Sequence, residues 1–95
     1  MNVVKPQILR PANGSRVGPT PTISGVGHPG SYLVLFYKGD PDTLFTGEVE
    51  VDYDGTWQVG ITLRYQDDGK ANVITARAFI GQNISEMSNE SVFYP

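Results

Sequence analysis

The stretch from Val49 to Ile61 reads VEVDYDGTWQVGI and sets two aspartates and a glycine just ahead of the only tryptophan. Its apolar residues Val49, Val51, Trp57, Val59 and Ile61 are all odd-numbered, whereas their even-numbered neighbours are mostly polar. Alternation with period two is the pattern of a strand that has one dry face and one wet face. The stretch therefore predicts two half-buried strands joined by a turn.

The length of that turn follows from the same alternation. A two-residue loop would set Val51 against Gln58 and turn one apolar face into water. A three-residue loop, 53–55, sets Val51 against Trp57 and places Gly55 where such hairpins need a left-handed residue. We therefore predict a hairpin with Val51 opposite Trp57, in which Asp52 holds the first turn position and its carboxylate accepts backbone N–H groups. The alternative interpretation of the aspartates is a calcium loop.

Composition excludes several classes of protein. The 95 residues carry a net charge of −3 and no cysteine, which rules out a disulfide framework and a thiolate metal site. Lys and Arg form no patch, so nucleic-acid binding through phosphate neutralisation is not expected. No apolar run reaches the ~20 residues of a membrane span, so membrane insertion is not expected either. We expect one domain over residues 1–95.

The rest of the chain repeats the pattern of short strands and turns. No segment has the spacing of an amphipathic helix, while PANG, GHPG, GDPD, DYDG, DDG and GQN are turn signals. About seven short strands without a helix are typical of an all-β sandwich or barrel. The predicted strands are Gln7–Arg10, Thr20–Val26, Tyr32–Lys38, Leu44–Val51, Thr56–Arg64, Asn72–Ile80 and Ser91–Tyr94, with a short extra strand near Ser15–Gly18.

The segments PQILRPANGSRV, PTISGVGHPGSYLVL, GEVEVDYDGTW and DDGKANVITARA, in that order, resemble a bacterial immunoglobulin-like domain. The resemblance covers nearly the whole chain, and its distinctive parts are "P.I..P..G", "P.ISG.G.PG" and "V..DG.W". It implies an immunoglobulin-like Greek-key sandwich of seven strands without a catalytic site. It also implies a module of a larger bacterial surface or secreted protein or of a phage particle, outside the cell, whose partners are neighbouring modules or a cell-surface or glycan ligand.

The apolar residues of the predicted strands also predict the core. Apolar side chains from both predicted sheets could fill a layer ~10 Å thick. Trp57 is the largest of them and is expected at the centre of the core. The other predicted core residues are Ile23, Leu33, Leu35, Tyr37, Val49, Val51, Val59, Ile61, Ile74, Ala76 and Ala78.

Residues able to do chemistry are few and scattered. His28 is the only histidine, and without cysteine it cannot build a typical zinc site. No nucleophile, base and acid stand in a recognisable set, so we expect no enzyme and no cofactor. Calcium is the remaining possibility, through turn carboxylates that meet at one end of the sandwich. Those carboxylates are Asp40, Asp42, Asp52, Asp54, Asp67 and Asp68.

One strand is more apolar than a sandwich requires. In LVLFY, residues 33–37, inward-facing Leu33, Leu35 and Tyr37 leave Val34 and Phe36 on the outside of the sheet. One interpretation is that flanking side chains cover them; the alternative is that Tyr32, Val34 and Phe36 form a partner-contact patch. A second function also stays open, a carbohydrate-binding sandwich that uses aromatic side chains such as Tyr32, Phe36, Tyr37 or Tyr65.

Overall fold

The computed structural model describes residues 2–44, 46–67 and 69–95, with side chains everywhere in these ranges except at residues 41–44. The described chain is all-β, and it contains no helix long and apolar enough to cross a membrane. Two of the predicted turn carboxylates, those of Asp42 and Asp68, lie outside the residues and side chains that the structure describes. The strands are β1 (Gln7–Arg10), β2 (Ser15–Arg16), β3 (Thr22–Val26), β4 (Tyr32–Tyr37), β5 (Asp40–Leu44), β6 (Val49–Glu50), β7 (Thr56–Gly60), β8 (Asn72–Ile80), β9 (Asn83–Ile84) and β10 (Ser91–Tyr94).

The strands form two sheets that pack as a sandwich. The smaller sheet has the order β1-β3-β7, and all its pairs are antiparallel. The larger sheet has the order β2-β10-β8-β4-β5, with β6 also paired to β4 and β9 also paired to β8. Within it only β2 and β10 run parallel. β1 and β2 are consecutive in the chain but belong to different sheets, on either side of the cis Arg10–Pro11 bond.

The core is one continuous cluster between the sheets. It contains every predicted core residue except Val59, which is partly buried and packs against it. Trp57 is 3% exposed, and its indole Nε1–H donates to the carbonyl oxygen of Val26 at 3.0 Å. The prediction that these apolar positions point inward is therefore confirmed. Leu63 follows the same odd-numbered alternation, whereas Val3, Ile8 and Phe93 had not been assigned to the core.

The turn predicted at the start of β7 is confirmed. Gly55 has a φ of 86°, in the left-handed region. Its N–H donates to the carbonyl oxygen of Asp52 at 2.8 Å, and the N–H of Asp52 donates to the carbonyl oxygen of Thr56 at 2.9 Å. These two bonds close the three-residue loop 53–55 that the alternation requires.

The pairing predicted beyond that turn is wrong. β6 pairs with β4 in the larger sheet, whereas β7 pairs with β3 in the smaller one. Trp57 consequently lies opposite Gly25, and Val51 donates its N–H to the carbonyl oxygen of Ser31 at 2.8 Å. The chain therefore turns a corner between the sheets at residues 52–56. The alternation could not show that β6 and β7 belong to different sheets. Two strands turn their apolar sides towards the same core whether they are neighbours in one sheet or lie in two facing sheets.

The strand predicted at Leu44–Val51 is also wrong in extent. The structure has two short strands there, β5 ending at Leu44 and β6 covering only Val49 and Glu50. Both pair with β4, β5 along its second half and β6 along its first. Two segments thus share one edge of β4, and residues 46–48 between them belong to no strand.

Strand directions set which loops share an end of the molecule. β1 begins next to the end of β3, since Gln7 pairs with Val26, and this end also holds the 52–55 turn. β10 finishes at the start of β8, since Phe93 pairs with Asn72, and this is the opposite end of the sandwich. The chain therefore enters the fold at one pole and leaves it at the other.

Candidate binding surface

The outer face of the larger sheet carries the residues predicted to contact a partner. Across β4 and β8, Tyr32 lies opposite Phe79, Val34 opposite Arg77 and Phe36 opposite Thr75. These six residues point away from the core, because the alternate residues of both strands are buried in it. We call them the outer face. It extends onto β10, where Val92 lies opposite Val73.

The three predicted contact residues differ in accessibility. Tyr32 is 43% exposed, Val34 is half-buried and Phe36 is only 9% exposed. The Tyr32 ring stacks on the ring of Phe79, with centroids 6.1 Å apart and planes 30° from parallel. The pair fixes both rings against the sheet, as cross-strand aromatic pairs do. Tyr32 and Val34 therefore offer the accessible part of this face, whereas Phe36 mainly forms its floor.

Arg77 lies in the middle of this apolar face and was not singled out by the sequence. It is half-buried, its Nε atom is buried, and no described residue accepts a hydrogen bond from that atom. Nor does it form an ion pair with any carboxylate in the described part of the chain. Lys38 and Arg64, by contrast, pair with Glu90 at 3.3 Å and with Asp40 at 3.2 Å. Among the described residues, Arg77 is thus a cation without a counter-ion.

A cleft of about 350 Å³ lies on the same face, with its lining residue Thr75 two positions from Arg77 along β8. Phe36 and Thr75 line it on the sheet, and Met87 lines it from the segment that follows β9. The ion pair between Lys38 and Glu90 stands at its rim. Sequence reasoning missed Met87 because this segment has no strand alternation from which a face could be assigned.

The pole at the end of β4 holds a polar cluster that serves the fold. The Tyr37 hydroxyl accepts the Arg64 N–H at 2.7 Å and donates to Oδ1 of Asn72 at 3.1 Å. The Asn72 amide in turn binds both the N–H and the carbonyl oxygen of Tyr65, at 3.1 and 2.9 Å. Burial raises the pKa of the Tyr37 phenol, against the opposing effect of the Arg64 N–H and charge. The hydroxyl is therefore neutral, and its bonds tie the 64–65 segment to β8.

Turn carboxylates are spread over both poles. Asp54 accepts the N–H and the hydroxyl of Thr56 at 3.0 and 2.7 Å, and these bonds lower the pKa of its carboxyl group. The carboxylate that accepts a backbone N–H in this turn was predicted to be that of Asp52, but it is that of Asp54. Asp52 contributes its backbone N–H and carbonyl oxygen to the turn. Asp40 is engaged by Arg64 at the other pole. Over residues 2–44, 46–67 and 69–95 no three His, Asp or Glu residues stand close enough to hold a metal ion.

His28 and the exposed aromatic residues do not meet in one site. The His28 Nδ1 atom accepts the N–H of Val4 at 3.1 Å and so fastens the segment before β1. Of the aromatic residues considered for carbohydrate, Phe36 and Tyr37 are buried. Tyr32 and Tyr65 are 43% and 40% exposed but lie at opposite ends of β4, since Tyr65 packs on Tyr37 with centroids 5.6 Å apart. A six-residue strand separates its ends by roughly 16 Å, so these rings form no common platform.

Comparison of the chain with models of protein families, with curated proteins and with solved structures gives no match. Function must therefore be argued from the fold and from the chemistry of its surface. The outer face carries Arg77, which together with Thr46 is one of the two described residues that have a buried side-chain polar atom without a hydrogen-bond partner.

Proposed function

We propose that this chain is a bacterial immunoglobulin-like module, a non-catalytic Greek-key sandwich that spaces or presents a binding surface. Its setting would be a bacterial surface protein, a secreted protein or a phage particle, outside the cell. The sequence segments that resemble this family span nearly the whole chain, and the all-β sandwich is compatible with it.

The strand order supports the immunoglobulin-like topology. Such a fold divides its strands between two sheets, and here the chain crosses between the sheets β1-β3-β7 and β2-β10-β8-β4-β5 several times. The first strand is split, since β1 joins the smaller sheet and β2 joins the larger one beside the last strand. Connections between β3 and β4 and between β7 and β8 also pass between sheets, as Greek-key connections do.

The observation that carries the spacing role is the placement of the first and last strands. The chain enters beside the end of β3 and leaves beside the start of β8, at opposite poles. The molecule is elongated, with extents of 42 × 26 × 19 Å. Copies joined through these poles would form a line, and each would extend it by nearly its full length.

Buried polar groups favour a structural role over a catalytic one. The hydroxyls of Ser85 and Ser88 each accept one backbone N–H and donate to one backbone carbonyl oxygen. Asn72 likewise satisfies its amide on Tyr65 and Tyr37. Polar side chains engaged in this way complete the fold, whereas an active site needs groups that are free to meet a substrate.

The test is small-angle scattering from a chain of two copies, with Pro95 joined directly to Met1. We expect a maximum dimension close to twice the 42 Å of a single copy. Two copies joined by a flexible linker of about 20 Gly and Ser residues are the control, since such a chain samples many separations and gives a broad distribution of distances. A directly joined pair whose maximum dimension stays well below twice 42 Å, or whose distance distribution is as broad as that of the flexible pair, would contradict the spacing role.

A glycan array probed with the single module separates this proposal from carbohydrate binding. A spacer binds no oligosaccharide on the array. Binding that is lost in Tyr32→Ala or Tyr65→Ala would instead favour the carbohydrate-binding alternative.

A further inference from the structure

We propose that the outer face of the larger sheet, centred on Arg77, docks a protein partner that presents a carboxylate beside an apolar side chain. This inference rests on the proposed function, because it names the surface that such a module presents and the chemistry of what it meets. The proposed docking surface consists of Tyr32, Val34 and Phe36, which the sequence predicted, together with Arg77 and Met87.

The state of Arg77 points to an acidic group on the partner. Its Nε–H is buried without an acceptor, and a buried donor left unsatisfied is costly to the free domain. A guanidinium group offers five donors in a planar fork that matches a carboxylate. The ion pairs among the described residues join Glu90 to Lys38 and Asp40 to Arg64, and none of them includes Arg77. A carboxylate brought by a partner would satisfy the bonding that the domain leaves open.

The surroundings of Arg77 point to an apolar neighbour for that carboxylate. Val34 lies directly across from it, and the cleft lined by Phe36, Thr75 and Met87 begins two positions further along the same two strands. Aromatic residues, Met and Arg are the residue types enriched in protein interfaces, and Arg is common among their energetic hot spots. If the partner placed an apolar side chain in the cleft, a carboxylate on its neighbouring residue would lie within reach of the Arg77 side chain.

The size of the face suits a protein surface. β8 is nine residues long, and about four strand positions lie side by side here. At ~3.3 Å per residue and ~4.8 Å between strands, the face covers roughly 600 Å², near the lower limit for one side of a specific interface.

Two other occupants fit less well. A second copy packed about a two-fold axis through this face would bring Arg77 towards its own equivalent, and like charges would meet. A glycan needs a flat, open aromatic ring, but Tyr32 is stacked on Phe79 and the rest of the accessible surface is Val34 and Met87. A protein partner with an acidic residue satisfies both the charge and the aliphatic surface.

The experiment is panning of a random 12-residue phage-displayed peptide library on the immobilised chain. We expect the enriched peptides to share an Asp or Glu next to a large apolar residue. The best peptide is then synthesised and titrated by calorimetry against wild type, Arg77→Gln and Arg10→Gln. Arg77→Gln should weaken binding at least tenfold, whereas Arg10→Gln, an exposed arginine on the smaller sheet, should leave binding unchanged.

A second arm avoids any effect of substitution on folding. The acidic residue of the peptide is replaced by its amide while the domain stays wild type, and the same loss of at least tenfold is expected. Amide resonances of β4 and β8 should shift on titration, because the peptide covers these strands.

Four results would overturn the inference. Peptides enriched without a carboxylate would contradict the role of Arg77, as would a peptide that binds Arg77→Gln as well as wild type. Acidic oligosaccharides that bind in an Arg77-dependent way while no peptide does would assign the face to glycans. A concentration-dependent dimer in sedimentation that disappears in Arg77→Gln would assign it to self-association. The scattering of the two-copy chain does not depend on Arg77, so failure of the spacing role and failure of this inference are separate results.

Discussion

Small polar side chains complete the backbone hydrogen bonding of β8 where its neighbouring strand is irregular. Between β9 and β10, the hydroxyl of Ser85 accepts the Ala78 N–H at 2.9 Å, and that of Ser88 accepts the Ala76 N–H at 2.8 Å. Both serines are buried, with 6% and 8% of their surface exposed. A buried N–H without a partner is costly, so the hydroxyls allow this segment to leave strand geometry without loss of those bonds.

The Asp54 carboxylate makes the stability of the 52–55 turn depend on pH. Its pKa is lowered in the folded state, chiefly by the hydroxyl and then the N–H of Thr56. The stabilisation is therefore present above roughly pH 4, where the unfolded carboxyl group is also ionised, and is lost as the pH falls through the lower folded pKa. Asp54→Asn should lower the melting temperature at pH 7 and flatten its change between pH 5 and pH 2.

Thr56 supplies the matched variants for this prediction. Thr56→Ser keeps the hydroxyl donor and should follow the wild-type pH dependence. Thr56→Val removes it and should behave more like Asp54→Asn. Identical pH profiles for wild type and Asp54→Asn would show that the carboxylate contributes nothing to stability.

Residue alternation predicted which side chains face the core but not which polar groups hold the sheets together. Trp57, Ile61 and Leu63 are inward as their odd positions require. Asn72 and Arg77 had no such signal, because their roles depend on which strands become neighbours. Arg77 lies opposite the apolar Val34 because β4 pairs with β8, and its Nε atom is buried without a partner among the described residues.

At the scale of elements, Asn89 joins the two sheets at an edge. Its side-chain Oδ1 accepts the Ile8 N–H at 3.0 Å, and its Nδ2 donates to the Ile8 carbonyl oxygen at 3.2 Å. The side chain thereby replaces a neighbouring strand for one residue of β1. It also explains how the short β1, whose register with β3 shifts between Ile8 and Arg10, is held in position.

Asn89→Ala should therefore loosen β1. We expect a loss of about 1–2 kcal/mol in the free energy of unfolding, since two hydrogen bonds to a buried residue are removed. Hydrogen exchange at the Ile8 amide should accelerate more than exchange in β8. Asn83→Ala, at an exposed asparagine in the 81–84 hairpin, is the control and should change stability by less than about 0.5 kcal/mol. Equal effects of the two substitutions would argue against the bridging role.

The elements themselves were predicted unevenly for a physical reason. β1, β8 and β10 have the predicted bounds, because each is set off by turn residues and shows clear alternation. The chain from Asp40 to Glu50 was taken as one turn and one strand, but it forms two strands that share an edge of β4. The local sequence pattern does not show how many segments will pair with one edge of a strand.

At the scale of the whole molecule, stability depends on a single core. Trp57 reaches from the smaller sheet into that core, and a side chain on Gly25, directly opposite it, would collide with the carbonyl oxygen of Gln7. The indole therefore packs where β1 and β3 approach most closely. The sequence predicted this core and the sandwich class, while the assignment of β6 and β7 to different sheets required the structure.

Trp57→Ala should cost roughly 3–5 kcal/mol, a large part of the 5–15 kcal/mol typical of a domain. Thermal unfolding should shift downward by well over ten degrees. Trp57→Phe, which keeps a ring but removes the bond to Val26, should cost less. A Trp57→Ala melting curve within a few degrees of wild type would mean that the tryptophan is peripheral to the core.

The parallel pair of β2 and β10 has a mechanical consequence. Both strands run towards the pole where the chain leaves, and they are joined at Ser15–Phe93 and Arg16–Tyr94, with flanking bonds from Gly14 to Val92 and from Val17 to Tyr94. Tension applied between the two ends of the chain draws β2 and β10 in opposite directions along their own axes. Their bonds are then loaded together in shear and must break together, rather than one at a time as in an unzipped hairpin. Single-molecule stretching should accordingly give a high rupture force that falls in Val17→Pro, where the N–H to Tyr94 is missing, and an unchanged force in that variant would place the resistance elsewhere.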